Sequence, residues 1–396
     1  MTEILKPATD DQVLDAVRWA LEGEQPLELV GRGSKRGFGR PVKAAHALDL
    51  SGLAGIEIYE PEELVLTARP GTPMAEVEAA LAARGQALAF EPADLGPLYG
   101  GPAGAGTLGG VIGCNLSGPR RIKAGAARDH VLGIESVSGR GQAFRSGGRV
   151  VKNVTGYDLP KLLTGAFGTL AAMTRVTVKV LPAPETVRTL VVAGLDDRAG
   201  IAVLTRALTS PFEVSGAAHL PAGILGDAAR SLVRIEGFGP SVDSRVAALS
   251  ALLGDAGPLS VLDPDDSASL WRRIRDVDPF VGDALDDDGR AVWRVSVAPT
   301  AGPALAAAVG GAHYFDWGGG LVWIALLADG DAGAAALRSA VAAAGGGHAT
   351  LMRASAALRS AVPVFEPQPE ALAALGRRVR DAFDPKGILS PGRVFM

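Results

Sequence analysis

The chain has 396 residues, 47% of them hydrophobic and 21% charged, a composition typical of a globular protein with room for two or three domains. Its net charge of −4 argues against nucleic-acid binding, because no basic stripe is available to neutralise phosphates. The single cysteine, Cys114, excludes a disulfide framework and any iron–sulfur cluster or zinc site built from several thiolates of this chain.

The N-terminal residues are acidic and are interrupted by Pro7, which is not the pattern of a signal peptide. No apolar run approaches the length that crosses a bilayer. We therefore expect a cytoplasmic chain without a transmembrane segment. Attachment to the inner face of a membrane through partner subunits is left open.

The first 182 residues predict short strands mixed with helices. Thr9 and Gln12 form a capping-box pattern ahead of a helix, and Thr72 before Pro73 predicts the start of a second helix that ends near Arg84. Alternating apolar residues between turns then indicate a second, largely antiparallel layer. Strands are expected at 27–30, 47–50, 56–59, 64–68, 131–138, 142–145 and 174–181.

A stiff break at Pro182 and Pro184 predicts a domain boundary, because proline constrains the preceding residue and lacks an amide donor. Beyond it, strands alternate with alanine-rich helices, which predicts an α+β domain whose sheet is covered on one face. Strands are expected at 189–193, 232–236, 292–297 and 321–326, and helices at 197–208, 241–253, 303–309 and 333–344. The final segment predicts a helix over 369–383 and an apolar, proline-fixed end that docks on the rest of the chain.

Two glycine-rich stretches carry the chemistry. The first, 31–39, follows a predicted strand, and the second, 100–118, contains isolated polar residues such as Thr107. Backbone without Cβ atoms can approach a ligand closely and direct successive N–H groups at phosphate oxygens. A Rossmann site is disfavoured, because GxGxxG is out of register and no amphipathic helix follows directly. The pair of loops predicts a nucleotide other than NAD.

The motifs GRGSKRGFG, ARPGTPMAEVEAAL, GTLGGVIGCNLSG, RDHVLGIESV, VKNVTGYDLPKLLTGAFGTL and DPKGILSPGR occur in that order. Together they resemble the FAD-binding oxidoreductases of the vanillyl-alcohol oxidase / p-cresol methylhydroxylase (PCMH) type, and are most similar to the FAD-binding subunits of bacterial glycolate oxidases. The resemblance implies a two-subdomain PCMH-type FAD-binding domain over 1–182 and an α+β cap with an antiparallel sheet over 183–368. A helix and tail over 369–396 would return to the FAD domain.

The resemblance also implies which residues bind the cofactor. The first loop would wrap the FAD diphosphate, the second would run beside the flavin, a later turn would contact the adenosine end, and the tail would approach the ring. The residues at those positions are Gly31, Arg32, Gly33, Ser34, Lys35, Gly106, Thr107, Leu108, Gly109, Gly110, Asn115, Ser117, Gly118, Gly165, Gly168, Thr169, Leu170 and Arg393.

The chain departs from the family pattern in several places. Phe167 and Ala171 stand where relatives often carry Glu and Gly. The first loop contains no histidine, so FAD is expected to be bound non-covalently. Related dehydrogenases carry paired metal-binding histidines in the cap, whereas the five histidines here show no close pair in the sequence, so no metal is expected.

The implied function is that of an FAD-binding subunit that oxidises glycolate, a small 2-hydroxy acid, to glyoxylate. Its expected partners are a homologous catalytic flavin subunit and an iron–sulfur subunit that receives the electrons. One alternative is a self-sufficient 2-hydroxyacid dehydrogenase with His348 and Arg353 at the substrate. Another is a scaffold subunit that has lost its flavin.

Several residues keep two interpretations. Lys152, Asn153, Tyr157 and Asp158 fit either helix capping and a solvated face or a loop near the flavin. Arg120 and Arg121 could face flavin phosphates or solvent. For Trp317 and Trp323, core packing is favoured.

Overall fold

The computed structural model describes residues 3–149, 156–282 and 289–394. They fall into two compact units. The first is drawn from Met1–Ser117, Ala126–Pro182 and Pro367–Met396, and the second from Gly118–Gly125 and Ala183–Glu366. The excursion of Gly118–Gly125 into the second unit has no counterpart in the sequence-based expectation.

The strands are, in chain order, β1 (Glu3–Leu5), β2 (Leu27–Val30), β3 (His46–Asp49), β4 (Ile56–Glu60), β5 (Val65–Ala68), β6 (Gln86–Ala87), β7 (Val131–Ser138), β8 (Gln142–Gly147), β9 (Ala171–Lys179), β10 (Leu181–Pro182), β11 (Thr186–Ala193), β12 (Gly216–Leu220), β13 (Arg230–Gly237), β14 (Leu259–Leu262), β15 (Arg290–Ser296), β16 (Ala312–Asp316), β17 (Leu321–Leu327) and β18 (His348–Arg353).

The α-helices are α1 (Asp10–Glu22), α2 (Met74–Ala82), α3 (Leu108–Gly113), α4 (Arg121–Ala124), α5 (Ala127–His130), α6 (Leu159–Leu163), α7 (Asp197–Leu208), α8 (Gly239–Leu253), α9 (Pro264–Arg275), α10 (Gly302–Val309), α11 (Ala334–Ala343), α12 (Ala356–Ala361) and α13 (Glu370–Phe383). Within the described ranges, every helix is too short or too polar to cross a membrane.

The first unit contains two main sheets. One has three parallel strands in the order β1-β3-β2, and the other has five antiparallel strands in the order β4-β5-β9-β7-β8. A two-stranded pair joins β10 to β6. Helix α1 packs Val13 and Val17 into a core with Leu27 and Leu48 of the parallel sheet, as its apolar spacing predicts.

The two predicted helix starts have different outcomes. The cap at Thr9 is confirmed, because its hydroxyl accepts from the Gln12 amide while the Gln12 side chain accepts from the Ala8 amide. The prediction that Thr72 caps the second helix is wrong. The Thr72 hydroxyl donates to backbone carbonyls and accepts from the Gly55 amide, and α2 begins after Pro73 without a side-chain cap.

The C-terminal tail docks on the first unit as an added strand. Leu389 forms a parallel bridge with Leu27, the Leu27 amide donates to the Ile388 carbonyl at 2.8 Å, and the Ser390 amide donates to the Leu27 carbonyl at 2.7 Å. The tail therefore continues the parallel sheet at β2, the strand that leads into the first glycine loop. The predicted docking of this apolar end is confirmed.

The second unit is built on an antiparallel sheet in the order β14-β11-β13-β12-β16-β17-β15-β18. One face packs against α7, α8, α10 and α11 in a single hydrophobic cluster. Part of the other face is covered by α9, where the Trp271 indole donates to the Thr189 hydroxyl at 2.9 Å. An α+β unit with an antiparallel sheet is therefore confirmed, although β12, β14, β16 and β18 were not anticipated.

Candidate cofactor site

The first unit contains a cleft at the carboxyl end of β2. The cleft is open to solvent, and the empty space within its walls and mouth amounts to about 750 Å³. The lining residues are Leu29, Val30, Gly31, Arg32, Gly33, Ser34, Lys35, Arg36, Leu50, Pro70, Thr107, Gly109, Gly110, Gly113, Cys114, Phe167, Gly168, Ala171, Met173 and Arg393.

The loop after β2 supplies free backbone donors. The amides of Arg32, Gly33, Ser34 and Lys35 find no hydrogen-bond acceptor within the described part of the chain, although all four residues line the cleft. Gly33 has a φ of 76°, a conformation that favours glycine and lets the chain turn back within a few residues. Successive unpaired amides of this kind form a concave site for an anion.

The second glycine segment forms the wall opposite this loop. A Cβ atom on Gly31 would lie 2.7 Å from the Thr107 hydroxyl oxygen, so the two loops meet where only glycine fits. The amides of Leu108 and Gly109 donate to the carbonyls of Thr72 and Pro70 at 2.9 and 2.8 Å. These two amides are therefore used within the protein.

Lys35 contributes a buried positive charge. Its side chain is 9% exposed, and its ammonium group lies 3.3 Å from the Ser34 hydroxyl and beneath the second segment, near Gly106 and Gly110. Burial lowers the pKa of Lys35, and the more distant Cys114 and Asp94 only partly oppose this effect. Among the described residues no carboxylate forms an ion pair with Lys35. An anionic ligand would compensate this desolvated charge.

The tail brings a second cation to the cleft. The Arg393 guanidinium donates to the carbonyls of Arg36 and Arg40 at 3.3 and 3.2 Å and lies 3.9 Å from Glu28. Burial lowers the pKa of Arg393, with nearby groups including Cys114 and Glu28 opposing. Arg393 is therefore fixed by the segment that follows the first loop.

The charged residues in the lining of the cleft are all cations, and Glu28 behind the lining pairs with Arg36. The lining holds Arg32, Lys35, Arg36 and Arg393, and no aspartate or glutamate lies among the lining residues, all of which are described. The remaining wall is small or apolar, and includes Phe167, whose ring packs edge-on against Phe38 at 4.8 Å between centroids. Free amides, a buried ammonium and an apolar wall fit a ligand that joins a diphosphate to planar rings.

The predicted cofactor residues divide into two groups. Those that line the cleft are Gly31, Arg32, Gly33, Ser34, Lys35, Thr107, Gly109, Gly110, Gly168 and Arg393, and those outside the lining are Gly106, Leu108, Asn115, Ser117, Gly118, Gly165, Thr169 and Leu170.

Two of the residues outside the lining have a local role instead. Asn115 and Ser117 accept from the amides of Arg128 and Ala127 and so hold the start of α5. Gly118 belongs to the second unit. The sequence reasoning did not identify Cys114, Phe167 and Met173 as lining residues. Their position beside the glycine motifs and on β9 was the available signal.

The candidate substrate residues lie in the second unit. His348 is exposed at the start of β18, and Arg353 at its end donates to the Phe280 carbonyl at 3.0 Å. Although no two histidines are close in the sequence, the fold brings two of them together. His219 and His313 both contact the Asp197 carboxylate, at 3.3 and 2.8 Å, because β12 and β16 are neighbours in the sheet.

The residues with two interpretations are partly resolved. Lys152 and Asn153 lie outside the described residues. Tyr157 is exposed, while Asp158 caps α6 by accepting from the Lys161 amide. Arg120 lies 3.5 Å from Glu236.

The two tryptophans differ. Trp323 is buried beside Tyr314, as expected. Trp317 is partly exposed and in contact with Arg121 rather than packed in the core.

Comparison with known proteins identifies the first unit. A family model described as "FAD binding domain" matches residues 2–147. The glycolate oxidase subunit GlcE of Escherichia coli is 34% identical over 391 residues, which cover 97% of this chain and 96% of that protein. The glycolate oxidase subunit GlcD of Bacillus subtilis is 31% identical over 188 residues, 47% of this chain but only 38% of that subunit.

Solved structures show the same fold at low sequence identity. A substrate-bound p-cresol methylhydroxylase gives a TM-score of 0.73 at 14% identity, covering 99% of this chain and 88% of that one. An alkyldihydroxyacetonephosphate synthase gives 0.71 at 14% identity, covering 98% and 75%. The match to the FAD-binding model agrees with the cationic, amide-lined cleft. The chain belongs to the PCMH-type FAD-binding flavoproteins and is similar along its whole length to the glycolate oxidase subunit GlcE.

Proposed function

We propose that this chain is the FAD-binding subunit of a glycolate oxidase or dehydrogenase complex that oxidises glycolate to glyoxylate and passes electrons to an iron–sulfur partner. The single observation that carries the proposal is the similarity of this chain to GlcE over 97% of its length. The cleft in the first unit, which is suited to FAD, agrees with it. The similarity to part of GlcD agrees with a homologous flavin subunit as a second partner.

In this proposal the first loop holds the FAD diphosphate. The amides of Arg32 to Lys35 donate to its oxygens, and the Lys35 ammonium and Arg393 guanidinium balance its charge. FAD, when bound, supplies the acceptor for the hydride that leaves the hydroxyl-bearing carbon of the acid. The chain's task is to hold, orient and electrostatically balance that cofactor.

The cleft favours non-covalent binding of FAD. No histidine is among the lining residues, all of which are described. Cys114 is the nucleophilic side chain in the wall, and burial raises the pKa of its thiol despite the charges of Lys35 and Arg393. A protonated thiol is a poor nucleophile, so a thioether link to the flavin is disfavoured.

An iron–sulfur centre would have to belong to another chain. Clusters are held by several cysteine thiolates, and this chain has one cysteine. The proposal therefore makes turnover with a physiological acceptor depend on partner subunits.

The test compares the purified chain with the co-expressed complex. We expect the isolated chain to be yellow with flavin absorption bands, to release FAD on acid precipitation, and to show little glycolate oxidation with an artificial acceptor. The complex should oxidise glycolate at a rate that depends on all partners. Robust turnover of glycolate or D-lactate by the isolated chain would favour the self-sufficient dehydrogenase instead.

The proposed diphosphate contacts have a separate test. Hydrogen exchange of a peptide that spans Arg32 to Lys35 should be fast in the FAD-free chain and strongly slowed by FAD. A peptide from β14 serves as the control, because it lies at the edge of the sheet in the second unit. Equal protection of both peptides would contradict the assignment of the loop.

A further inference from the structure

The face of the large sheet that lies opposite the α7 and α8 side carries an arginine without a carboxylate partner. Trp293 and Val295 of β15 belong to the helix-covered core, so Arg294 between them projects from the other face. The register places it beside Trp323 of β17 and Thr350 of β18. Among the described residues no carboxylate lies within ion-pair distance of Arg294.

Trp317 orders this part of the face. Its φ of 53° is unusual for a residue with a side chain, and its amide donates to the Asp316 carboxylate at 2.7 Å. Its indole N–H donates to the Gly118 carbonyl at 3.1 Å. The ring is therefore held at both its backbone and its edge, in a strained conformation of the kind that clusters at binding sites.

Two guanidinium groups lie over this one indole ring. The Cζ atoms of Arg121 and Arg294 are 4.7 and 5.1 Å from the Trp317 ring centroid. Both contacts fall within the range of a cation–π interaction. All three residues are partly exposed.

The electrostatic environment of Arg294 differs from that of the other arginines that stack on tryptophan rings. Arg234, which lies over Trp271, has Glu236 at 3.7 Å, and Arg338, which lies over Trp293, donates to the Pro363 carbonyl at 2.5 Å. Burial and the neighbouring Arg121 lower the pKa of Arg294 to about 10, with Asp316 opposing. An added anion would relieve both the desolvation and the repulsion.

We propose that Arg121, Arg294 and Trp317 form a binding site for a small carboxylate. The assignment of that carboxylate to a 2-hydroxy acid or its 2-oxo product rests on the function proposed above, whereas the anion site itself does not. The planar guanidinium fork matches a carboxylate with two parallel hydrogen bonds, and the indole keeps the forks oriented before the ligand arrives. Phosphate shares this chemistry and is tested beside it.

The experiment uses the FAD-loaded full chain. Glycolate, glyoxylate and inorganic phosphate are titrated separately, and binding is followed by calorimetry and by tryptophan fluorescence. Arg294→Met should weaken carboxylate binding about 10- to 100-fold, because a charged hydrogen bond is lost. Arg294→Lys keeps the charge without the fork and should give an intermediate loss. Arg290→Met removes an exposed charge from the same strand and should bind like the parent chain.

Flavin absorbance and thermal unfolding are recorded for every variant, so that a misfolded protein is recognised. If Arg294→Met fails to fold, the binding affinity of Arg294→Lys is compared with that of the parent chain instead. Unchanged glycolate and glyoxylate binding in a folded Arg294→Met chain would overturn the site and leave the proposed function intact. Binding of phosphate alone, dependent on Arg294, would overturn the assignment to a carboxylate. Arg294-dependent binding of glyoxylate by a chain whose complex fails to oxidise glycolate would support the site while refuting the proposed function.

Discussion

Lys35 is the residue whose energetics depend most on the cofactor. Its ammonium is desolvated between two glycine segments, and the described chain gives it a hydroxyl but no carboxylate. Leaving a charge buried without a counter-ion is costly, so the free chain carries a local instability that the diphosphate removes. Affinity for FAD and intrinsic stability are therefore opposed at this residue.

We expect Lys35→Met to weaken FAD binding about 10- to 100-fold, because a charge-assisted contact with phosphate is lost. The FAD-free variant should be no less stable than the parent, since a desolvated charge has been removed. Flavin fluorescence titration and urea unfolding measure the two effects. Lys43→Met, at an exposed position, is the control. An unchanged FAD affinity in Lys35→Met would show that Lys35 is not a phosphate ligand.

For individual residues, the sequence predicted which ones belong to the cofactor site better than it predicted their burial and contacts. Glycine density identified the loop from Gly31 to Lys35, because few other residues permit such a backbone. The burial of Lys35 could not be read, since it is produced by the segment near Gly106, some seventy residues later. Trp317 was expected in the core for the same reason: its arginine neighbours come from distant parts of the chain.

Among the elements, the C-terminal tail links sheet formation to the site. Asp384 is 1% exposed and accepts from the amides of Ile388 and Leu389 at 3.1 and 2.8 Å, which turns the chain toward β2. Burial raises the pKa of Asp384, although these amides oppose it. The same tail delivers Arg393 to the cleft.

Asp384→Ala should destabilise the protein by about 1–3 kcal/mol, because two buried amides lose their acceptor. It should also weaken FAD binding, since Arg393 depends on the tail. Urea unfolding and flavin titration test both effects. Asp381→Ala removes an exposed carboxylate from the preceding helix and should change neither quantity. Loss of stability without loss of FAD affinity would show that FAD binding does not depend on the position of the tail.

The pair of histidines on Asp197 ties the start of α7 to β12 and β16. Burial opposes charge on His313, but the hydrogen bond to Asp197, the Gly311 carbonyl and the Asp197 charge outweigh it and raise the pKa of His313. Its folded pKa is thus above the unfolded value of 6.5. The stabilisation is complete below 6.5 and is lost as pH rises through the folded pKa.

His313→Gln should therefore cost more stability at about pH 5.5 than at about pH 8.5. Urea unfolding of parent and variant at the two pH values gives the difference directly. His348→Gln replaces an exposed histidine in the same unit and is measured in parallel as the control. A cost that is equal at both pH values would mean that the ion pair with Asp197 contributes nothing.

Elements with clear periodicity were predictable, and uniform ones were not. The strand at 131–138 and the helix at 197–208 were located correctly, because alternation and a capped apolar face are local signals. Strand β12 was missed, since all five of its residues are buried and small residues dominate it. The cap predicted at Thr72 failed for a different reason, because the Thr72 hydroxyl bonds to the backbone of Gly55, which is distant in sequence.

On the scale of the whole molecule, each unit has its own hydrophobic core. The cluster around Val13 and Leu27 lies in the first unit, and the cluster around Trp293 and Phe315 lies in the second. All residues of the cofactor cleft come from the first unit. The sequence predicted the α+β class and the returning tail. It did not predict that Gly118–Gly125 belongs to the second unit, because a short segment that leaves one unit for another has no periodic pattern of apolar residues.

FAD should therefore stabilise the units unequally. At a free concentration of about 100 times its dissociation constant, FAD should raise the unfolding free energy of the first unit by about 2.7 kcal/mol. Hydrogen exchange of β3 and β13, one strand from each unit, reports the two responses. Protection should increase in β3 and change little in β13. An equal increase would indicate that the two units unfold together.

Cys114 gives the chain a chemical reporter without engineering. It is the one sulfhydryl in the sequence, and it sits in the wall of the cofactor cleft. Because burial raises the pKa of this thiol, labelling with a maleimide dye needs alkaline pH, where the thiolate forms. Bound flavin should then shield this single atom from the dye. The fraction of unlabelled protein then measures occupancy in a crude extract, where colour and fluorescence are obscured.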